Sequence, residues 1–217
     1  MSASDTGFAT RPIGEIAASL PGATAIFRRH KLDFCCGGAA RLADAAPAEA
    51  LPDIEAELAA LAPATDEAPQ ETDALIDHIL TRYHAVHRRE VSELARMARR
   101  VEAVHRDHPA VPRGLAALLE RMAFEMEAHM TKEEQALFPM MRAGAPTLSV
   151  PIGIMRDDHD DHGERLRELE ALTNGHVPPE GACTTWRALY NGTAKFAADL
   201  VEHIHLENNV LFPRFGG

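Results

Sequence analysis

The chain is 217 residues long, with 33 acidic against 22 basic residues and a formal net charge of −11. That balance argues against nucleic acid or an anionic membrane surface as the main partner. Aromatic residues make up only 5% of the chain while Ala, Leu, Glu and Arg abound, a bias toward helix over strand.

The first ten residues, MSASDTGFAT, have neither the basic flank nor the apolar stretch of a signal peptide. No run approaches the roughly 18 apolar residues of a membrane span. Three cysteines, two of them adjacent, do not make a secreted disulfide framework, so a reducing cytoplasm is the expected location.

Residues 1–62 are expected to form a small helical N-terminal domain. Its distinctive text is Phe27-Arg28-Arg29-His30-Lys31-Leu32-Asp33-Phe34-Cys35-Cys36-Gly37-Gly38. The flanking Arg28, Arg29 and Lys31 could lower a thiol pKa, and the glycine pair permits close backbone approach. Small buried cysteines are also common, so local sequence leaves Cys35 and Cys36 open between a structural and a functional role. Residues 63–71, polar and with prolines at 63 and 69, read as a linker.

Residues 72–217 read as an antiparallel four-helix bundle, making the fold class all-α. The first helix is predicted from about Asp73 to Arg106. The second runs from near Pro112 to Arg142, the third from about Ser149 to Leu172 and the fourth from near Thr184 to about Leu211. Pro112 suits a first turn, and Gly144 and Gly175 suit helix ends. Short connections make neighbouring helices antiparallel. Inner stripes spaced by three and four run through each helix, for example Leu115, Leu119, Met122, Met126, His129, Glu133, Leu137 and Met140 in the second.

One pattern within these stripes occurs twice. His129-x-x-x-Glu133-x-x-x-Leu137-Phe138-Pro139 recurs 74 residues later as His203-x-x-x-Glu207-x-x-x-Leu211-Phe212-Pro213. His84 precedes the first copy by 45 residues and His159 precedes the second by 44. Residues four apart on a helix face one neighbour, so each His-Glu pair points inward together. The same arithmetic turns Glu134 outward and His205 to the side opposite His203.

Two glutamates ionised in a core would each cost several kcal/mol if unpaired, against a total stability of only about 5–15 kcal/mol. No Lys or Arg occupies the inner stripes to neutralise them. Metal cations would neutralise the carboxylates and satisfy the imidazoles together. Mixed imidazole and carboxylate donors suit iron, manganese or zinc, and inward His and Glu from four helices resemble the bundle di-iron arrangement. Six side chains fill two metals if each takes two His and both Glu bridge, with an oxo or hydroxo bridge completing the core. His87 and His162, each three residues after a lone histidine, read as outer hydrogen-bond partners or alternate ligands. Asp158 is placed to orient a ligand.

Leu32-Asp33-Phe34-Cys35-Cys36-Gly37-Gly38, the two His-x-x-x-Glu-x-x-x-Leu-Phe-Pro blocks, and Ala182-Cys183-Thr184-Thr185-Trp186 through Tyr190-Asn191-Gly192 together resemble the repair of iron centres family. These are hemerythrin-like di-iron proteins that repair iron–sulfur clusters. The resemblance covers nearly the whole chain. It implies a non-haem di-iron centre on His84, His129, Glu133, His159, His203 and Glu207. It also implies a cytoplasmic role in restoring iron–sulfur proteins damaged by nitric oxide or oxidants, with Cys35 and Cys36 taking a redox or transfer part. The His-x-x-x-x-Asp pattern of oxygen-carrying hemerythrins is missing from the fourth helix. Other uses of the same centre are reduction of nitric oxide and the binding or sensing of O₂ or NO. The sequence leaves open whether the N-terminal domain docks within one chain or across a homodimer.

Overall fold

The computed structural model describes residues 7–20, 22–61, 69 and 71–216. The expected linker falls mostly outside them. Among the described residues there is no strand, and extended pairing is limited to a bridge between Pro12 and Arg41. No helix among them is long and apolar enough to cross a membrane.

Four short helices come first: α1 (Ile13–Ser19), α2 (Ala23–Arg29), α3 (Leu42–Ala45) and α4 (Leu51–Ala59). They enclose their own apolar cluster, centred on Ile13, Ile16, Phe27, Phe34, Leu42, Ile54 and Leu58. Four long helices follow: α5 (72–104), α6 (115–142), α7 (Ser149–Leu172) and α8 (184–211). Each packs on two neighbours, α5 on α6 and α8, and α7 on α6 and α8, closing a four-helix ring. The observed limits lie within three residues of those predicted. The largest shift is at α6, which opens at Leu115 after Gly114, whose φ of 91° needs glycine.

Three of the long helices widen into a π turn: Ile79–His84 in α5, Glu133–Leu137 in α6 and Leu206–Leu211 in α8. Proline accounts for two of them. Pro139 and Pro213 have no N–H to donate, and each ring would strike the carbonyl four residues back in a regular helix. Widening the turn ahead of the ring relieves the clash. A π turn also inserts a residue into the helical register. That explains a departure from the predicted stripe of α6. Met140 was expected inside but is 42% exposed, while Met141 is buried in its place.

The bundle interior is layered. Leu75, Ile76, Ile79, Leu137, Phe138, Met141, Met155, Leu211 and Phe212 form one apolar cluster, and residues from Val91, Met126, Leu169, Trp186 and Phe196 belong to a second. On all four helices the segment between these clusters carries the paired histidines and glutamates. The polar layer is thus stoppered at both ends by hydrocarbon.

The N-terminal helices dock on the bundle of the same chain. Arg28 pairs with Glu202 at 3.2 Å, and Lys31 with Glu170 at 2.7 Å. Asn209 Nδ2 donates to the Phe34 carbonyl at 3.2 Å. Its Oδ1 lies so near Gly14 and Gly38 that a Cβ on either would approach to 2.6 and 2.7 Å, which is why that contact needs glycine. Phe34 sits edge-on to His205, 5.4 Å between centroids.

His205 is 1% exposed, and burial pushes its imidazole down to about 4. The unfolded chain takes up that proton near pH 6.5, whereas the folded chain stays neutral down to about 4. The stability at stake is therefore fully present above pH 6.5 and is lost as the pH falls through that window. In the metal-free chain, His205→Gln is expected to flatten the fall in denaturant-derived stability between pH 6.5 and 4. The difference should approach one proton's worth, about 1.4 kcal/mol per pH unit. Parallel pH profiles for the two chains would contradict this.

Candidate metal centre

The six side chains picked out by the repeat come together in the polar layer. His84 stands on α5, His129 and Glu133 on α6, His159 on α7, and His203 and Glu207 on α8. Ligand atoms of His84, Glu133, His203 and Glu207 all lie within 4.8 Å of one another, and so do those of His129, Glu133, His159 and Glu207. The two glutamates belong to both groups, the placement required of bridging carboxylates.

The hydrogen-bond partners of the rings decide where their lone pairs point. Nδ1–H of His84 donates to Glu134 Oε1 at 2.8 Å, and Nδ1–H of His129 to Asp158 Oδ2 at 3.1 Å. His159 Nδ1 lies 2.9 Å from Asn208 Oδ1; the Asn208 Nδ2 is committed to the Cys35 carbonyl at 3.0 Å, so the amide oxygen faces the ring and Nδ1 donates. A neutral ring that donates from Nδ1 presents a lone pair at Nε2. His129 and His159 then direct Nε2 lone pairs at each other across 3.2 Å, and His84 directs its own at Nε2 of His203, also 3.2 Å away, which lies 3.1 Å from Glu207 Oε1. Opposed lone pairs at that separation call for a cation.

The carboxylates make the same demand. Glu133 and Glu207 are both fully buried. Neither Glu133 oxygen accepts a hydrogen bond of good geometry, although His84 and His129 Nε2 lie 3.4 and 3.3 Å from its Oε2. Burial, and then the nearby Glu207, push its carboxyl well above the usual range. At Glu207 burial acts the same way, but His203 and His159 outweigh it and hold the group well below that range. Glu207 in turn draws His159, 3.1 Å away, toward its charged form against the effect of burial. The site attracts positive charge. Four imidazoles and two carboxylates fit metal binding, with room for a cation between the facing nitrogens.

The outer partners follow the repeat. Glu134 and Asn208, each the residue after a shared glutamate, hold Nδ1 of His84 and His159. Helix arithmetic turned Glu134 outward, yet its long side chain reaches back to His84 while Arg88 pairs with it from outside at 2.8 Å. The matched position after Glu133 and Glu207 was the signal available for finding both. Asp158 contacts His129 and is clamped by Lys132.

His87 and His162 are also buried in this layer. The ring of His87 lies 5.4 Å from that of His203, and the ring of His162 lies 5.1 Å from that of His129. Both nitrogens of His87 and Nε2 of His162 have no hydrogen-bond partner. Burial pushes the two imidazoles down to about 2 and about 3, so both are neutral. His203 Nδ1 also lacks a partner; Tyr83 stacks on that ring at 5.3 Å instead.

Cys35 and Cys36 lie on the bundle side of the N-terminal segment, their sulfurs 3.7 Å apart. Cys36 Sγ is 3.7 Å from the carbonyl oxygen of His159. The Cys36 sulfur and burial push the Cys35 thiol strongly up, so it stays protonated. The basic flank expected to lower a thiol pKa points elsewhere: Arg28 to Glu202, Arg29 to Glu57 and Lys31 to Glu170.

A family model described as the hemerythrin HHE cation binding domain matches residues 75–215. A second, ScdA_N, described as a Domain of Unknown function (DUF542), matches residues 9–62. The iron-sulfur cluster repair protein YtfE of Citrobacter koseri is 49% identical over 217 residues, covering 95% of this chain and 97% of the relative. Its namesakes from Cronobacter sakazakii and Escherichia coli O157:H7 are each 48% identical, over 95% and 94% of this chain and 96% of either relative. The chain belongs to the hemerythrin HHE family and, within it, to the family of the YtfE cluster-repair proteins.

Proposed function

We propose that this protein repairs iron–sulfur clusters damaged by nitrosative or oxidative stress, working from two iron ions held in the polar layer of the bundle. The observation that carries the reading is the pair of opposed Nε2 contacts around two shared, buried glutamates. In it, His84 and His203 hold one ion, His129 and His159 the other, and Glu133 and Glu207 bridge. An oxo or hydroxo bridge would complete the pair. A donor set of nitrogen and oxygen without thiolate suits iron ions and not a cluster. The names of the relatives supply the repair role, and the damaged proteins are the expected partners.

Bound iron would supply releasable metal and open positions for a small ligand such as NO or O₂. The chain's own residues do the rest. Glu134, Asp158 and Asn208 fix the tautomers of three ligands, so that Nε2 is free to bind. Two apolar clusters exclude bulk water from the layer. Neutral His87 and His162 offer unpartnered nitrogens beside the ions. Cys35 and Cys36, the redox or transfer residues of this reading, line a cavity of about 530 Å³ between the N-terminal helices and the bundle. The site of action is the cytoplasm.

Removing an outer carboxylate typically lowers metal affinity about 10–100-fold. Glu134→Ala is expected to do so in competition titrations against a chelator, with the fold checked by circular dichroism. Unchanged affinity would remove Glu134 from the centre. For the function itself, iron-loaded protein is incubated with an enzyme whose cluster has been nitrosylated. Recovery of that enzyme should be faster than with an equal amount of free ferrous iron, and the Glu133→Ala chain should give no such advantage. Equal recovery in the free-iron control would contradict the repair role.

A further inference from the structure

Asn208 is the hinge between two parts of the molecule that the sequence reads separately. Its Oδ1 accepts from Nδ1 of His159 at 2.9 Å, and its Nδ2 donates to the Cys35 carbonyl at 3.0 Å. The side chain is only 5% exposed, and its own backbone carbonyl accepts from Arg156 Nη2 at 3.2 Å. A second contact runs in parallel, from Cys36 Sγ to the carbonyl oxygen of His159 at 3.7 Å. One histidine of the centre is therefore linked to the two adjacent cysteine residues, from its ring through Asn208 to Cys35 and from its backbone directly to Cys36.

The repeat shows what is special about this arrangement. At the matched position the first copy has Glu134, which accepts from His84 and turns its charge toward Arg88 at the surface. A carboxylate can only accept. The second copy has an amide, which accepts from the ring and donates to a carbonyl at once. An asparagine is the residue that lets the bond chain continue from the ring into the N-terminal segment. Metal on Nε2 withdraws charge from an imidazole and makes its Nδ1–H a stronger donor. Polarising one bond of such a chain strengthens the next. Loading should thus tighten the hold of Asn208 on the Cys35 carbonyl.

We propose that Asn208 is a positioning residue that couples the Cys35–Cys36 segment to the metal centre. Metal binding changes the freedom of the cysteine segment, and chemistry at the cysteines changes the hold on metal. The coupling rests on the reading of the centre as a metal site given above. Because linkage is reciprocal, an effect of bound metal on the cysteine segment implies an effect of that segment on metal affinity.

The test uses the full chain. Alkylation of Cys36 by iodoacetamide is followed peptide by peptide by mass spectrometry, anaerobically, without iron and with saturating ferrous iron. Loading is confirmed by metal analysis. The cavity beside Cys36 gives the reagent access. In the wild-type chain, iron is expected to slow labelling about fivefold or more, the low end of ordinary coupling between sites. Asn208→Asp keeps an acceptor for His159 and loses the Asn208 donor to the Cys35 carbonyl, leaving the longer contact from Asn209 Nδ2 at 3.4 Å, so the ratio should fall below about twofold. A residue of merely structural importance would speed labelling in both states and leave the ratio intact. An unchanged ratio in the variant overturns the proposal, as does a wild-type rate indifferent to bound iron. Should the variant not fold, the wild-type chain gives the converse measurement: alkylated at Cys36, it should lose iron affinity, and unaltered affinity overturns the coupling. A wild-type chain that takes up no iron would instead sink the metal reading, and the coupling with it.

Discussion

Two carboxylates, Glu133 and Glu207, are buried in a helical core among four imidazoles, and the rest of the molecule answers to that fact. A core of hydrocarbon could close without them at lower cost. Their presence requires positive charge from somewhere, and no cationic side chain is among their ion-pair partners. Every nearby feature is arranged around that need. The Nδ1 protons of His84, His129 and His159 are turned outward to acidic or amide partners, so the lone pairs of those rings turn inward. Apolar clusters above and below keep water from meeting the need instead.

The local backbone serves the same end. The π turns fall where the proposed ligands sit: His84 closes one, Glu133 opens another and Glu207 is second in the third. In two of the three a proline makes the regular helix untenable, so the widened turn is written into the Leu-Phe-Pro ending of each repeat. Two copies of one motif on facing helices build a centre with approximate internal symmetry. The symmetry breaks in the outer partners. Glu134 faces Arg88 and solvent, while Asn208 faces the cysteine segment. One half of the centre is anchored to the surface and the other to the N-terminal helices.

Much of this was legible in the sequence. The six inward residues followed from spacing within a repeat, and the helix limits from stop and start signals. What escaped has physical reasons. Met140 was placed inside because a period of 3.6 does not anticipate an inserted residue. Glu134 was turned outward because helical angles describe where a side chain starts, and not how far a glutamate can reach back. Asn208 gave no local sign of bonding to a ligand, since its second partner lies 173 residues away. His205 was correctly set opposite His203, but only the docked Phe34 makes that side an interior. The cysteines' basic neighbours look local in sequence and spend their charge on distant glutamates.

The central claim is that the opposed nitrogens enclose two cations sharing two carboxylates. The most direct measurement is an anaerobic ferrous iron titration of the full chain, followed after oxidation by metal analysis and Mössbauer spectroscopy. The account predicts two irons per chain as a magnetically coupled pair, reduced to at most one tightly held iron in Glu133→Ala. A single iron, or two irons that remain uncoupled, would contradict it.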